Sequence, residues 1–253
     1  MNSRERSYRV RAVVLRRVST GETDRVVTLF TREYGKIGAI AKGARGARSR
    51  LSAATEPGIL FRGLLAMGQN LEVLTQAEVT ETFPALRKDL TRLGYASYFL
   101  ELIDAALEDR QPAPELWDLL TAALGALETF EAPDLLARMV ELQVLRLLGL
   151  LPDLTCCVLD GAPLPEDAAL FHPRRGGLIC PRCAVTNHGG VRISEEAVTT
   201  LRALARRGLA AVTPPALPPS ERTRAELARC LTPCMRAHLD APLRSLQFLD
   251  AVA

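Results

Sequence analysis

The residues of this 253-residue chain that could do chemistry are its cysteines and its clustered arginines. Cys180 and Cys183 enclose Pro181 and Arg182 in a Cys-x2-Cys turn, preceded in the chain by the adjacent Cys156 and Cys157. A structural zinc site needs four donors converging tetrahedrally, and one such turn delivers two of them. Counting from Cys157, the place of a second thiolate holds Asp160, followed by Gly161 where a knuckle reverses. A carboxylate oxygen can ligate zinc, so the candidate set is Cys157, Asp160, Cys180 and Cys183, with Cys156, His172 and His188 as other sources of the fourth ligand. The competing reading is a hairpin packed without metal; a redox pair lacks the βαβ context it needs. Cys230 and Cys234, four apart with Pro233 between them to disturb a helix, are expected to be small buried residues.

The second chemistry is electrostatic. Of 32 Lys and Arg residues, 13 fall in the first 50 positions against four acidic ones, a local balance of +9 on a chain whose net charge is +3. Clustered cations attract polyanions by counterion release whatever fold lies beneath them. The loop KGARGARSR carries Lys42, Arg45, Arg48 and Arg50 with glycines that let a phosphate chain approach closely, and Lys36, Arg32 and Arg17 flank it. Tyr34 is the one ring near these cations, so backbone contact is expected to dominate over base stacking.

These groups must be positioned by two kinds of element. Residues 8–18, 25–31, 36–42, 58–67 and 71–79 are short runs rich in aliphatic and β-branched residues, punctuated by turn residues. Tyr8, Val10, Ala12 and Val14 alternate with the outward Arg9 and Arg11. Five such strands fit a small closed barrel of the oligonucleotide-binding (OB) type, with an SH3-like barrel or a split sandwich as alternatives. From Phe83 onward the period becomes helical. Leu86, Leu90, Leu93, Ala96, Tyr98, Leu100, Ile103 and Leu107 form one stripe, and PELWDLLTAALGALETF and DLLARMVELQVLRLLGLL follow as further amphipathic segments. Ser194 and a serine near 220 start two later helices. The expectation is a multidomain α+β protein: an OB domain over 1–81, a helical domain over 82–253, and a zinc-knuckle-like hairpin inserted at 152–190.

No nucleophile-base pair, zinc-protease motif or P-loop is legible, so the residues name no enzyme, and a metal-dependent one would need an open zinc position. No apolar run approaches the length of a membrane span, and the N-terminus lacks a signal peptide's apolar segment, which points to a cytoplasmic protein without membrane association. Composition and spacing lead to a basic β-domain that binds nucleic acid, attached to a helical body.

Longer motifs go further. Leu15-x5-Gly21-Glu22-x-Asp24, Leu29-Phe30-Thr31-x3-Gly35 and Ala41-Lys42-Gly43-Ala44-Arg45 resemble the N-terminal domain of the RecO family of bacterial recombination and repair mediators. Phe171-His172-x3-Gly176-Gly177-x2-Cys180-x2-Cys183 is similar to that family's cysteine segment, departing from it at His172 and Asp160, where the family has Ser and Cys. The resemblance implies a non-enzymatic, nucleoid-associated protein that binds single- and double-stranded DNA and anneals complementary strands. It implies also that, with RecR, the protein assists RecA loading on DNA coated by single-strand-binding protein. An RNA-binding OB module with a structural zinc hairpin is the alternative.

Overall fold

A computed structural model describes residues 7–46, 49–164, 170–186, 189–207, 212, 215, 218–239 and 242–252. The chain divides into two compact units, residues 1–128 with 244–253, and residues 129–243.

In the first unit, β1 (Ser7–Thr20), β2 (Asp24–Thr31), β3 (Gly35–Ala41), β4 (Leu60–Ala66) and β5 (Glu72–Glu81) close into a barrel of order β1-β2-β3-β5-β4. The pairs are antiparallel except β3 with β5, and the one-turn helix α1 (Leu51–Ala54) lies between β3 and β4. Alternation places Val10, Ala12, Val14, Leu29, Ile37, Phe61, Leu65 and Leu74 in one interior cluster. This is the expected OB-type barrel. A bulge between Val14 and Arg16 bends β1, which lets one long strand pair with both β2 and β4.

The barrel's outer surface has two fates. Phe30 points outward and is fully buried, its ring meeting Trp117 edge-on at 5.6 Å between centroids. The covering elements are α2 (Leu90–Ala106) and α3 (Pro114–Leu127), with α8 (Ser245–Val252) packed on α2. α2 begins at Leu90, after a 3-10 turn at Pro84–Arg87 that holds Leu86, so the predicted stripe spans two elements. Leu90 and Leu93 at its start are exposed, whereas Tyr98, Phe99, Leu102 and Ile103 are buried on all sides because α2 is covered by more than one neighbour. The start of β1 with β4 and β5 keeps an exposed outer face.

The second unit is built around α4 (Pro133–Leu147), buried at every position from Leu135 to Leu145 and packed against α6 (Glu195–Arg206) and α7 (Glu221–His238). Its Arg138 and Glu141 pair at 2.9 Å, and Arg138 also donates to the Thr232 hydroxyl at 2.7 Å. Ser194 and Ser220 cap α6 and α7 as their sequence positions imply, each accepting from the backbone N–H three residues on. α7 runs on through Pro233 despite the expected disturbance, and Cys230 and Cys234 are buried on it. Burial pushes their thiols up to about 12 and about 11. A small sheet completes the unit: β6 (Leu170–His172) lies between β7 (Gly177–Ile179) and β8 (Val191–Arg192), and β7 leads into the turn α5 (Pro181–Ala184). No helix among the described residues is long and apolar enough to cross a membrane.

Candidate nucleic-acid interface and metal centre

The loop after β3 is held by the turn between β1 and β2. The Asp24 carboxylate accepts the Gly43 N–H at 2.8 Å and the Thr23 hydroxyl at 3.0 Å. The Arg45 N–H reaches the Thr23 carbonyl at 2.9 Å, and the Arg45 guanidinium the Gly21 carbonyl at 3.1 Å. Gly43 sits at φ +65°, in the left-handed region, which turns its amide toward Asp24. The Gly43 bond first, then the Thr23 bond and the nearby Lys42 charge, hold the Asp24 carboxyl below its usual range. The result is an exposed Lys42 and an exposed Arg45 on a pinned loop, with Arg50 exposed at its far end.

The other candidate cations are engaged elsewhere. Lys36, 17% exposed, donates to the Asp104 carbonyl at 2.9 Å and lies 3.4 Å from the Asp104 carboxylate and 3.8 Å from that of Asp109. It fastens β3 to the end of α2. Arg17 pairs with Glu56 at 2.9 Å and Arg32 with Asp118 at 3.6 Å. Arg48 lies outside the described residues.

Two further arginines join the surface. Arg9 on β1 and Arg62 on β4 are exposed, and they line with Arg11 and Arg50 an open groove of about 870 Å³ over β1, β4 and β5. The alternation of β1 already turned Arg9 and Arg11 outward, but the register that sets Arg11 directly opposite Arg62 comes from long-range pairing.

In the second unit, one ligand atom from each of Cys157, Asp160, Cys180 and Cys183 comes within 4.8 Å of all the others. The Gly161 N–H bonds the Cys157 carbonyl at 2.8 Å with Gly161 at φ +71°, closing the first turn. The Cys183 N–H points at the Cys180 sulfur at 3.4 Å, closing the second. Asp160 Oδ2 lies 3.6 Å from Cys180 Sγ and 3.2 Å from Cys183 Sγ. A zinc ion about 2.3 Å from sulfur and about 2.0 Å from oxygen would set a sulfur–oxygen edge of roughly 3.5 Å, so the spacing fits. Three thiols and one carboxylate can therefore hold a metal ion. Arg182 donates to the same Asp160 oxygen at 2.7 Å and, ahead of the Ala162 N–H, holds the Asp160 carboxyl far below its ordinary value. The Cys183 thiol, donating to that carboxylate, is pushed up to about 12. Cys156 is outside the cluster, the His172 ring nitrogen accepts the Arg175 N–H at 3.3 Å, and His188 lies outside the described residues.

Comparison with known proteins gives this architecture a lineage. The family model for the recombination protein O N terminal matches residues 4–83, and that for the recombination protein O C terminal matches residues 87–247. The chain is 36% identical over 249 residues to the DNA repair protein RecO of Symbiobacterium thermophilum, covering 97% of both chains. It is 41% identical over 246 residues to the protein of that name in Anaeromyxobacter dehalogenans strain 2CP-C, covering 95% of this chain and 94% of the other. To the Roseiflexus relative of the same name it is 37% identical over 249 residues, covering 98% of this chain and 87% of the other. With both family models matched in order and the barrel, helices and cysteine hairpin in place, the chain belongs to the recombination protein O family.

Proposed function

We propose that this protein is a non-enzymatic, DNA-binding mediator of recombination and DNA repair. It binds single- and double-stranded DNA, anneals complementary strands, and with RecR assists RecA loading on DNA coated by single-strand-binding protein. The observation that carries the DNA-binding part is the pinned loop. Asp24 and Gly21, both in the family motif, hold Lys42 and Arg45 exposed at one end of an OB-type barrel. Among the described residues neither Lys42 nor Arg45 forms a close ion pair, and exposed cations of this kind neutralise phosphates without reading bases, which suits an annealing protein that must accept any complementary pair. Arg50 ends the same loop and Arg48, outside the described residues, is proposed with it from sequence alone; Arg17 and Arg32 are weaker members whose ion pairs must open first.

Zinc is proposed as the structural cofactor of the hairpin, held by Cys157, Asp160, Cys180 and Cys183. Bound there, it would act as a closed four-donor cross-link with no open position for chemistry. The test of the reading is anisotropy with labelled single-stranded DNA, duplex DNA and structured RNA, alongside an annealing assay with complementary oligonucleotides. Binding to DNA with steep salt dependence and accelerated annealing are expected. A strong preference for structured RNA with no annealing would support the RNA-binding alternative instead.

A further inference from the structure

We propose that the exposed outer face of β1, β4 and β5 is a second phosphate-binding surface, along which a single DNA strand held at the Lys42 and Arg45 loop continues. The proposal rests on the DNA-binding reading above and adds the path of the strand. Arg11 and Arg62 are direct cross-strand partners in the β1–β4 register, and Arg9 stands two residues from Arg11 on the same face. Like charges directly opposed across a ladder destabilise it, so an anion seated between them relieves a cost the free protein carries. Glu33 offsets part of this, pairing with Arg11 at 2.9 Å. Glu78 stands opposite Arg62 on β5, yet Arg62, like Arg9, makes no ion pair or side-chain hydrogen bond among the described residues.

Arg50 supplies continuity. It ends the loop that begins with Lys42 and also lines the groove with Arg9, Arg11 and Arg62, so the two basic surfaces share a member. No aromatic side chain among the described residues lines the groove. Its neutral donor is the exposed Gln76 amide, while the Thr75 hydroxyl is spent on the Leu64 carbonyl at 2.9 Å. A strand gripped here by phosphates alone, with no ring to stack on, keeps its bases turned outward and free to pair with a complementary strand.

The test uses the full chain and oligothymidylates from roughly 6 to roughly 30 nucleotides, bracketing the roughly 4–16 nucleotides one OB barrel spans. The variants are Arg9→Glu with Arg62→Glu in the groove, and Lys42→Glu with Arg45→Glu in the loop. Wild-type affinity is expected to keep rising with length after the groove variant has reached its plateau. On the longest oligomer the groove variant should bind at least about tenfold more weakly, with a salt slope shallower by about 0.7 for each phosphate it no longer neutralises. The loop variant should weaken binding at every length. A groove variant with the wild-type length profile and slope, beside a weakened loop variant, would overturn the groove while leaving the loop reading standing. Wild-type protein that bound no DNA would overturn both. The milder Arg9→Gln with Arg62→Gln pair guards against misfolding: it should melt no lower than wild type at low salt, because it removes a repulsion, and should show the same early plateau.

Discussion

Asp24 separates positioning from charge at the scale of one residue. It is an anion beside the cations proposed to bind DNA, so on charge alone Asp24→Ala should tighten binding. Its carboxylate instead holds the Gly43 N–H at 2.8 Å, and removing that bond frees the loop. Weaker DNA binding by Asp24→Ala, by about threefold or more in anisotropy, with Asp24→Asn closer to wild type, is expected because a loosened loop must be ordered again on binding. Tighter binding by Asp24→Ala would leave the pin without a role. Asp160 makes the matching case in the hairpin. Asp160→Cys should raise the chelator concentration needed to strip the zinc and Asp160→Ala lower it, by about tenfold or more in each direction, read as metal content per chain across a chelator series. Equal metal content in all three proteins would remove Asp160 from the ligand set. The Cys180 and Cys183 turn was legible from spacing alone, and so was Asp160 as a candidate. That Arg182 shares its oxygen was not, because the contact depends on how two turns distant in sequence face each other.

Elements carry the parts that local pattern does not reveal. The strands fall close to their sequence limits because the alternation of β1 and the β-branched runs of β2 and β3 are strong local signals. Lys36 and Gly35 were harder to read. The ammonium that looked available is drawn to α2, and Gly35 was legible only as a turn glycine. At Gly35, φ is +71° and an added Cβ would lie 2.0 Å from the Gln111 carbonyl oxygen, where the segment between α2 and α3 docks on β3. Gly35→Ala is therefore expected to destabilise the first unit by about 1–3 kcal/mol or more, measured by denaturant unfolding. In the second unit, Glu226 of α7 accepts the Ser194 N–H and hydroxyl, each at 2.7 Å, at the start of α6. Burial opposes its charge, but these bonds and Arg222 outweigh it and hold its carboxyl below the usual range. A depressed carboxyl stabilises the fold above its unfolded value and that contribution disappears as pH falls through the folded value. Glu226→Gln should thus cost about 1–3 kcal/mol near neutrality and less below pH ~4. An equal cost at both would contradict the assignment.

For the whole molecule, the uneven charge of the sequence becomes a barrel with two surfaces. One is covered by helices through Phe30 and Trp117; the other is left open with Arg9, Arg11 and Arg62. A +9 balance in the first 50 residues is compatible with a polyanion partner or with a solvated basic face, and it could not say which cations are spent within the fold. Among the described residues, Lys36, Arg17 and Arg32 are tied to carboxylates, whereas Lys42, Arg45 and Arg50 form no such ion pair. Total charge therefore overstates the interface, and the number of phosphates engaged should follow the free cations. The central claim is that the pinned loop grips DNA through its phosphates. Its most direct test is the salt dependence of single-stranded DNA binding by wild type and by Lys42→Glu with Arg45→Glu, since each phosphate left unneutralised lowers the log–log slope by about 0.7. Weaker binding with a slope shallower by about 1.4 is the expected result; an unchanged slope and affinity would contradict the account.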